Sequence, residues 1–203
     1  PASMVLVDGY LYVCETLDGA IRKVSAADGS VTTLAGCSTG SLDAIGTEAQ
    51  FNTPHGICSD GASLYVCDTG NYTVRKIEIS TAQVSTLAGG ANAIGYSDGT
   101  GTAAKFNKPR AMACDGTNLY IYDSGNLKIR KMNLETRYFS TLIKAPSSEG
   151  IATDGTTLYC TYEHIIYALN LASGTSTIFA GSSSYGYADA TLGVNALFYT
   201  IYG

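Results

Sequence analysis

The 203-residue chain has no tryptophan, only two histidines, and charged side chains at just 14% of its positions. No apolar run approaches the roughly 18 residues that a membrane-spanning helix needs. A net charge of −5 argues against a nucleic-acid-binding protein, because such proteins carry basic patches that neutralise phosphates. A transition-metal centre takes about three protein ligands, and two histidines supply few of them. We therefore expect no bound metal or cofactor, no nucleic-acid partner and no membrane span.

The six cysteines lack the spacing of a metal or redox motif, since no Cys-x-x-Cys pair occurs. Cys14 and Cys67 take equivalent positions in two similar segments, where the other segments have tyrosine or threonine. Cys58 stands where two segments have alanine. Such exchanges are typical of small packing residues. We expect mostly free thiols, and disulfides stay the alternative because an even number of cysteines in an extracellular chain permits them.

What the chain does contain is a sequence segment that occurs four times. Aligned on an aspartate at the start of a turn, the copies begin at Asp8, Asp60, Asp115 and Asp154, with offsets of 52, 55 and 39 residues. Repetition at such a period is typical of solenoids and propellers, in which each repeat is one supersecondary unit.

Each copy consists of four short apolar runs separated by Gly, Asn, Asp and Ser, the residues of tight turns. In the second copy these runs are 56–60, 64–68, 74–79 and 83–88. They are rich in Val, Ile, Leu and Tyr and are not strictly alternating, which indicates strands covered on both faces. We predict an all-β propeller of four consecutive four-stranded antiparallel blades, at about 1–36, 51–89, 106–142 and 146–181. Their first strands, 4–7, 57–59, 112–114 and 151–153, should line the channel.

The repeat also resembles a known family. The run from Phe51 to Gly90, followed by the residues GYSDGTGTAAKF, resembles an NHL repeat of the form common in secreted and cell-surface proteins, and it recurs from Phe106 to Met132. WD-type repeats are disfavoured because tryptophan is absent. The resemblance implies a protein-interaction or structural scaffold in an extracellular assembly, with other proteins or subunits as partners. Propellers of this family commonly have six blades.

Both ends of the given sequence cut through the repeat. Pro1 stands directly before a first strand, whereas residues 182–203 restart a lead-in to a next blade, with Phe198 matching Phe51 and Gly203 matching Gly56. We expect four blades of a larger, about six-bladed propeller whose upstream part was removed or never observed. A free-standing ring of four blades is the alternative.

An acidic residue and an arginine recur together at fixed positions of the second and third strands. They are Glu15 with Arg22, Asp68 with Arg75, and Asp123 with Arg130, and both are replaced in the fourth copy, by Tyr162 and Tyr167. Joint loss predicts an ion pair within each blade, and independent drift is the alternative. Exposed, such a pair would contribute only about 0–1 kcal/mol, as a structural clip and not a site.

Few residues are candidates for a site. His55 precedes a first strand where Arg110 is its counterpart, so both are expected at the channel mouth, and His164 lies in a shortened hairpin. Asn71 begins an Asn-Tyr-Thr glycosylation sequon in a hairpin that we expect to be exposed. The long loops 37–50, 90–105 and 182–197 each contain an aspartate, which we interpret as a turn cap and not a calcium ligand, since alternate ligands and a closing glutamate are missing. These are Asp43, Asp98 and Asp189.

The sequence predicts a non-catalytic scaffold with an extracellular or cell-surface location. The alternative is a metal-dependent lyase or hydrolase with its site in the channel, because an amidating lyase related to NHL proteins uses channel histidines around a metal. A Ser-His-Asp triad is not excluded by spacing, but the Gly-x-Ser-x-Gly nucleophile motif is absent.

Overall fold

The computed structural model describes residues 1–91, 93–145 and 150–198. Within them the strands form four antiparallel sheets in chain order, and in each sheet four strands that are consecutive in sequence pair with one another. This confirms the predicted four-bladed β architecture. Helical turns in the described part are short 3-10 segments, and none of its helices is long or apolar enough to cross a membrane. The predicted blade start at 146–149 and the end of the lead-in at 199–203 lie outside the described residues.

Blades 1 and 2 precede the middle of the chain. Blade 1 comprises β1 (Met4–Val7), β2 (Tyr10–Glu15), β3 (Ala20–Ser25) and β4 (Val31–Ala35). Blade 2 comprises β5 (Pro54–Ser59), β6 (Ser63–Asp68), β7 (Thr73–Glu78) and β8 (Val84–Gly89). The strand β5 includes the predicted residues 57–59 and begins at a proline. Proline is tolerated there because the first residue of a strand need not donate to the ladder.

Blades 3 and 4 repeat the pattern. Blade 3 comprises β9 (Gly99–Thr100), β10 (Pro109–Cys114), β11 (Asn118–Asp123), β12 (Lys128–Asn133) and β13 (Tyr138–Lys144). Blade 4 comprises β14 (Ile151–Thr153), β15 (Thr157–Tyr162), β16 (Ile165–Asn170) and β17 (Ser176–Gly181). The first strands β1 and β14 have the predicted bounds.

The short strand β9 was not predicted. It belongs to the long loop before blade 3 and pairs antiparallel with β13 at Tyr138 and Phe139. The loop before blade 2 makes a single bridge of the same kind, between Ile45 and Gln83 beside β8. We call 37–50, 90–105 and 182–197 the first, second and third lead-in loops. The first two each lie along the outermost strand of the blade that follows.

The apolar core is divided among the three junctions between successive blades. Blade 2 has a neighbouring blade on each of its faces, and its strand β6 is therefore buried at all six positions. Phe51 directly follows the first lead-in loop and lies in the cluster between blades 1 and 2; Phe106 follows the second loop and lies between blades 2 and 3. The cluster between blades 3 and 4 has no phenylalanine among its described members.

The propeller has two different faces. The lead-in loops and the hairpins between second and third strands meet at one end, where the amide of Gly70 donates to the carbonyl of Asn52 at 2.9 Å. We call this end the loop face, and the opposite end, with the Asp-Gly turns, the turn face. The inner strands β1, β5, β10 and β14 contact one another in that order. Residues of the last three line one cavity of about 100 Å³, as expected for strands that line the channel.

Candidate functional site

A buried arginine organises the loop face of blade 2. The Nη1 atom of Arg75 donates to Asp68 Oδ2 at 2.8 Å and to the carbonyl of Gln50 at 2.9 Å. Its Nη2 atom donates to Asp43 Oδ1 at 2.6 Å and to the carbonyl of Leu42 at 3.0 Å. The predicted pair of Asp68 and Arg75 is therefore confirmed. It is not a weak surface pair, because the two side chains are 0% and 1% exposed.

Blade 3 repeats this arrangement atom by atom. Arg130 donates through Nη1 to Asp123 Oδ2 at 3.3 Å and to the carbonyl of Lys105 at 3.0 Å. Through Nη2 it donates to Asp98 Oδ1 and to the carbonyl of Ser97, both at 2.9 Å. We call the set of arginine, strand aspartate and loop aspartate the clip. It joins a blade to the lead-in loop before it, as well as two strands to each other.

The interpretation of Asp43 and Asp98 as simple turn caps is wrong. Besides its arginine, Asp43 accepts a hydrogen bond from the amide of Thr86 in β8 at 2.9 Å. Asp98 accepts one from the hydroxyl of Thr141 in β13 at 3.1 Å. A loop carboxylate thus bonds to both the third and the outermost strand of the next blade. The guanidinium geometry favours this, since its planar fork binds several acceptors at once.

The strand aspartate of each clip is held by further donors. Asp68 Oδ1 accepts from the amide of Asn52 at 2.7 Å, and Asp123 Oδ1 accepts from the amide of Asn107 at the same distance. Burial raises the pKa of Asp68 and of Asp123, while these donors and the arginine act against that rise. Loss of the arginine would therefore leave a buried carboxyl group without its counter-charge.

Asn71 is buried and donates a hydrogen bond to the clip of blade 2, so the expectation of an exposed sequon is wrong. Its Nδ2 atom donates to Asp68 Oδ2 at 2.8 Å and to the carbonyl of Gly40 at 2.7 Å. Asn126 makes the same two kinds of bond in blade 3. A glycan on Asn71 would replace one of these donors, and glycosylation there stays a prediction that requires the cluster to open.

Each clip is completed by the phenylalanine after the loop. The guanidinium of Arg75 lies 5.0 Å from the ring centre of Phe51, and that of Arg130 lies 5.2 Å from Phe106. The end of the preceding outer strand must leave room for this ring. Gly89 has φ +82, and a Cβ there would meet the carbonyl of Tyr72 and the Phe106 ring. The nearest obstacle is the carbonyl from the hairpin between the second and third strands, and Gly181 at the end of β17 meets the carbonyl of His164 in the same way, so the ring adds to a backbone requirement for glycine.

Blades 1 and 4 depart from the full clip in different ways. In blade 1, Arg22 and Glu15 are 3.7 Å apart and about one third exposed, so the pair is present but looser. In blade 4, Tyr162 and Tyr167 take the two positions. The chain there runs from β13 to β14 without a long loop, aspartate or phenylalanine, as the sequence indicated. The lead-in loop, the phenylalanine that follows it and the ion pair are therefore all absent before and within blade 4.

The two residues predicted at the channel mouth do come together. The Nε atom of Arg110 donates to Nε2 of His55 at 3.2 Å. Because arginine is always protonated, His55 accepts through an unprotonated Nε2. Both are half-buried and line the central cavity at its loop-face end, with Ala2, Ser3 and Gly150. The cavity is small, and Arg110, His55 and Ser3 are the polar side chains among the described residues that line it.

The lead-in loops carry large apolar side chains on their outer side. Leu42 is 54% exposed in the first loop, Tyr96 68% in the second, and Tyr187 89% in the third. Tyr96 and Tyr187 are equivalent, each following glycine two residues before the loop aspartate. The ring of Tyr96 also lies 4.6 Å below the ammonium group of Lys128. The two loops that are fastened from within thus present a leucine and a tyrosine outward, and the third loop presents a second tyrosine.

Within the described residues, no three His, Cys, Asp or Glu side chains come together as metal ligands would. His164 lies away from the channel mouth, with its ring 6.4 Å from that of Tyr185. All six cysteines are free thiols. Four of them are buried in the sheets, in agreement with the prediction that they act as packing residues.

Four consecutive sheets around a channel, two of them fastened to the lead-in loop before them, define a β-propeller module. No protein-family model matches the chain. Human "NHL repeat-containing protein 2" is 31% identical over 158 residues, which are 71% of this chain and 22% of the human protein. The chicken protein of the same name is 28% identical over 65% of the chain and 20% of its own length. These relatives support the NHL-repeat family for the chain, which spans about a fifth of their length.

Solved structures show the same fold. The nidogen/laminin complex contains a chain with a TM-score of 0.66 and 19% identity, covering 86% of this chain and 62% of that one. A structural genomics protein from Bacteroides thetaiotaomicron has a TM-score of 0.62 at 19% identity, covering 77% of this chain and 43% of that one. At such identities the likeness concerns the fold.

Proposed function

We propose that this chain is a non-catalytic NHL-type propeller module that binds other proteins through its loop face. One observation carries the proposal: the clips fix the first two lead-in loops from inside, while the loops present Leu42 and Tyr96 to solvent. Rigid aromatic side chains are favoured at protein interfaces, since they bury much area and lose little conformational entropy. Loops already held in one conformation also lower the ordering cost of binding.

The channel mouth is part of the proposed surface. Arg110 and His55 lie at the same end of the molecule as the lead-in loops, and Arg110 brings a positive charge to a chain of net charge −5. A partner that covers the loop face would therefore also cover the channel mouth, and Arg110→Gln should weaken its capture.

We further propose an extracellular or cell-surface setting, within an assembly of other proteins or subunits. The support is the resemblance of the repeat to the secreted form of NHL proteins and the similarity of the fold to a chain in a nidogen/laminin complex. Surface proteolysis of intact source cells that express the full-length tagged protein tests this setting. Cleavage is expected without permeabilisation, and protection until the cells are lysed would contradict it.

The loop-face proposal is tested with two variants of equal chemistry. Tyr96→Ser with Tyr187→Ser removes aromatic groups from the loop face, and Tyr138→Ser removes a half-exposed tyrosine from the turn-face end of β13. Partners captured by the wild-type protein from its own source extract should be lost with the loop variant and kept with Tyr138→Ser. Equal capture by all three proteins would contradict the proposal.

The non-catalytic part of the proposal has its own test. Elemental analysis of the purified full-length protein distinguishes a scaffold from the lyase or hydrolase alternative. We expect substoichiometric zinc and iron after dialysis. One equivalent of either metal, lost on substitution of His55, would favour the enzyme.

A further inference from the structure

The junction between blades 3 and 4 contains an apolar cavity of about 380 Å³. Its wall is built by Ile129 and Ile143 of blade 3 and by Cys160 and Leu169 of blade 4. The exposed residues Lys144 and Ser176 stand at its rim, so the cavity is reached from solvent. A space of this size exceeds the volume of several water molecules and has few polar partners to hold them.

Strand register shows what this cavity corresponds to in the rest of the molecule. At the junction of blades 1 and 2, Phe51 packs among residues of β3, β4, β6 and β7. The cavity residues hold the same register positions, with Ile129 for Ile21, Ile143 for Ala35, Cys160 for Val66 and Leu169 for Ile77. The cavity is therefore the place that a phenylalanine fills at the other two junctions. We call this phenylalanine, Phe51 or Phe106, the plug.

Nothing in the connection between these blades supplies such a ring. The segment from Leu142 to Gly150 contains no aromatic residue. The surrounding substitutions agree with a missing plug: Lys144 stands where Gly89 makes room for the Phe106 ring, and Ile143 enlarges an alanine position. Among the described residues, none fills the cavity. Tyr167 stands at the position of the clip arginine. Because no charged side chain is buried there, an occupant of the cavity need not bring a carboxylate to pair with it.

We propose that this cavity, which we call the open plug site, accepts a phenylalanine from an extended segment of a partner protein. The segment would lie across the third junction as the lead-in loops lie across the first two. This deepens the proposed protein-binding function and rests on it. Burying an aromatic ring is favourable by about 25 cal/mol per Å² of apolar surface removed from water. Lys144 at the rim further favours a segment with an acidic residue, which both clipped lead-in loops also contain.

The test uses two peptides and the wild-type chain. One peptide copies residues 94–108 and contains Phe106; the other differs only by Phe106→Ala. Methyl resonances of Ile129, Ile143 and Leu169 are followed during titration to millimolar peptide. The phenylalanine peptide is expected to shift these methyls and to bind at least tenfold more tightly than the alanine peptide. Equal affinities, or shifts that spare these methyls, would overturn the proposal.

A filled cavity supplies the second arm. Ile143→Phe should abolish the methyl shifts at peptide concentrations that saturate the wild type, whereas Val31→Phe, on the exposed edge of blade 1, should leave them unchanged. If toluene shifts the same methyls but the peptide does not, the cavity is a small-molecule site and the peptide proposal fails. Both peptides contain the same tyrosine, so the difference between them reports on the phenylalanine alone. Failure here leaves the loop-face proposal standing, because the capture experiment with Tyr96→Ser and Tyr187→Ser tests that proposal separately.

Discussion

The second and third blade junctions solve the same packing problem with different parts. Between blades 2 and 3, a long loop brings Phe106 into the core, and Arg130 holds the loop by its aspartate and carbonyls. Between blades 3 and 4, loop, phenylalanine, aspartate and arginine are all missing, and a cavity takes their place. The difference teaches that these residues form one unit. The ion pair serves to fasten the plug-bearing loop, so it disappears where there is no loop to fasten.

The largest effect that would break this comparison comes from removing a clip arginine. Arg75→Met should destabilise the chain by about 3–5 kcal/mol, because Asp68 would remain buried without its partner. Arg22→Met, in the looser pair of blade 1, should cost no more than about 1 kcal/mol. Urea denaturation at pH 7 measures both. Equal losses for the two variants would mean that the buried clip has no special role.

A matched pair of substitutions probes the room left for the plug. Gly89→Ala places a Cβ against the carbonyl of Tyr72 at φ +82 and should cost about 1–3 kcal/mol. Lys144→Ala, at the equivalent position without a plug, should change stability by less than about 0.5 kcal/mol. Thermal denaturation of both variants gives the comparison. An unchanged melting temperature of Gly89→Ala would contradict the view that the Tyr72 carbonyl and the Phe106 ring require glycine at this position.

The turn aspartates sharpen the comparison, because blade 4 keeps its turn although it lacks the clip. Asp115 accepts from the amides of Thr117 and Asn118 at 2.9 and 2.7 Å, and Asp154 does the same in blade 4. Burial raises the pKa of Asp115, but its hydrogen-bond donors outweigh burial and lower the pKa below its usual value. The amides of Thr156 and Thr157 lower the pKa of Asp154 to about 2.

A carboxyl group with a lowered folded-state pKa stabilises the fold above its unfolded pKa and loses that effect as pH falls through the folded value. The wild type should therefore lose this contribution between about pH 4 and pH 2. Asp115→Asn should show a smaller loss of stability over that range. Urea midpoints at pH 5 and pH 3 measure it, and parallel pH profiles of variant and wild type would contradict the assignment. The clip aspartates are unchanged in both proteins, so their opposite pKa shift cancels.

The smallest effect is a difference in thiol reactivity between junctions. Cys160 lines the open plug site, whereas Cys14 and Cys67 are fully buried at the plugged junctions. Burial raises the pKa of all three thiols, that of Cys160 to about 12, so each should react slowly at pH 8. Among these three and the exposed Cys37, mass spectrometry after alkylation should find Cys37 labelled first, Cys160 next, and Cys14 and Cys67 only on unfolding. Labelling of Cys67 before Cys160 would contradict an open third junction.

Much of the fold was predictable, because the repeat compares four versions of one unit within a single chain. The first strands, the pairing of Asp68 with Arg75, and its joint loss in blade 4 all follow from aligned positions. The burial of that pair does not follow from the alignment, because the alignment of the repeats does not show that a loop folds over the pair. The spacing of 32 residues from Asp43 to Arg75, repeated from Asp98 to Arg130, was the available signal.

Other features depend on packing between blades and carry no local signal. Asn71 matches a surface sequon as a tripeptide, and only the approach of the carbonyl of Gly40 shows that it is buried. The cavity at the third junction becomes visible only when Ile129 and Cys160, from different blades, are placed opposite each other. The missing loop was apparent in the sequence, but the space that it leaves was not.

Hydrogen exchange of Arg75→Met tests the central claim, that the clip fastens the lead-in loop to the blade. Two loop-reporting amides are those of Asn52, which donates to Asp68, and Thr86, which donates to Asp43. Under native conditions both should lose at least tenfold more protection, relative to the wild type, than the amides of blade 4 lose. Amides of β15 and β16 in blade 4, which has no clip, should change only by the global loss of stability. Protection of Asn52 and Thr86 that falls no further than that of blade 4 would contradict the claim.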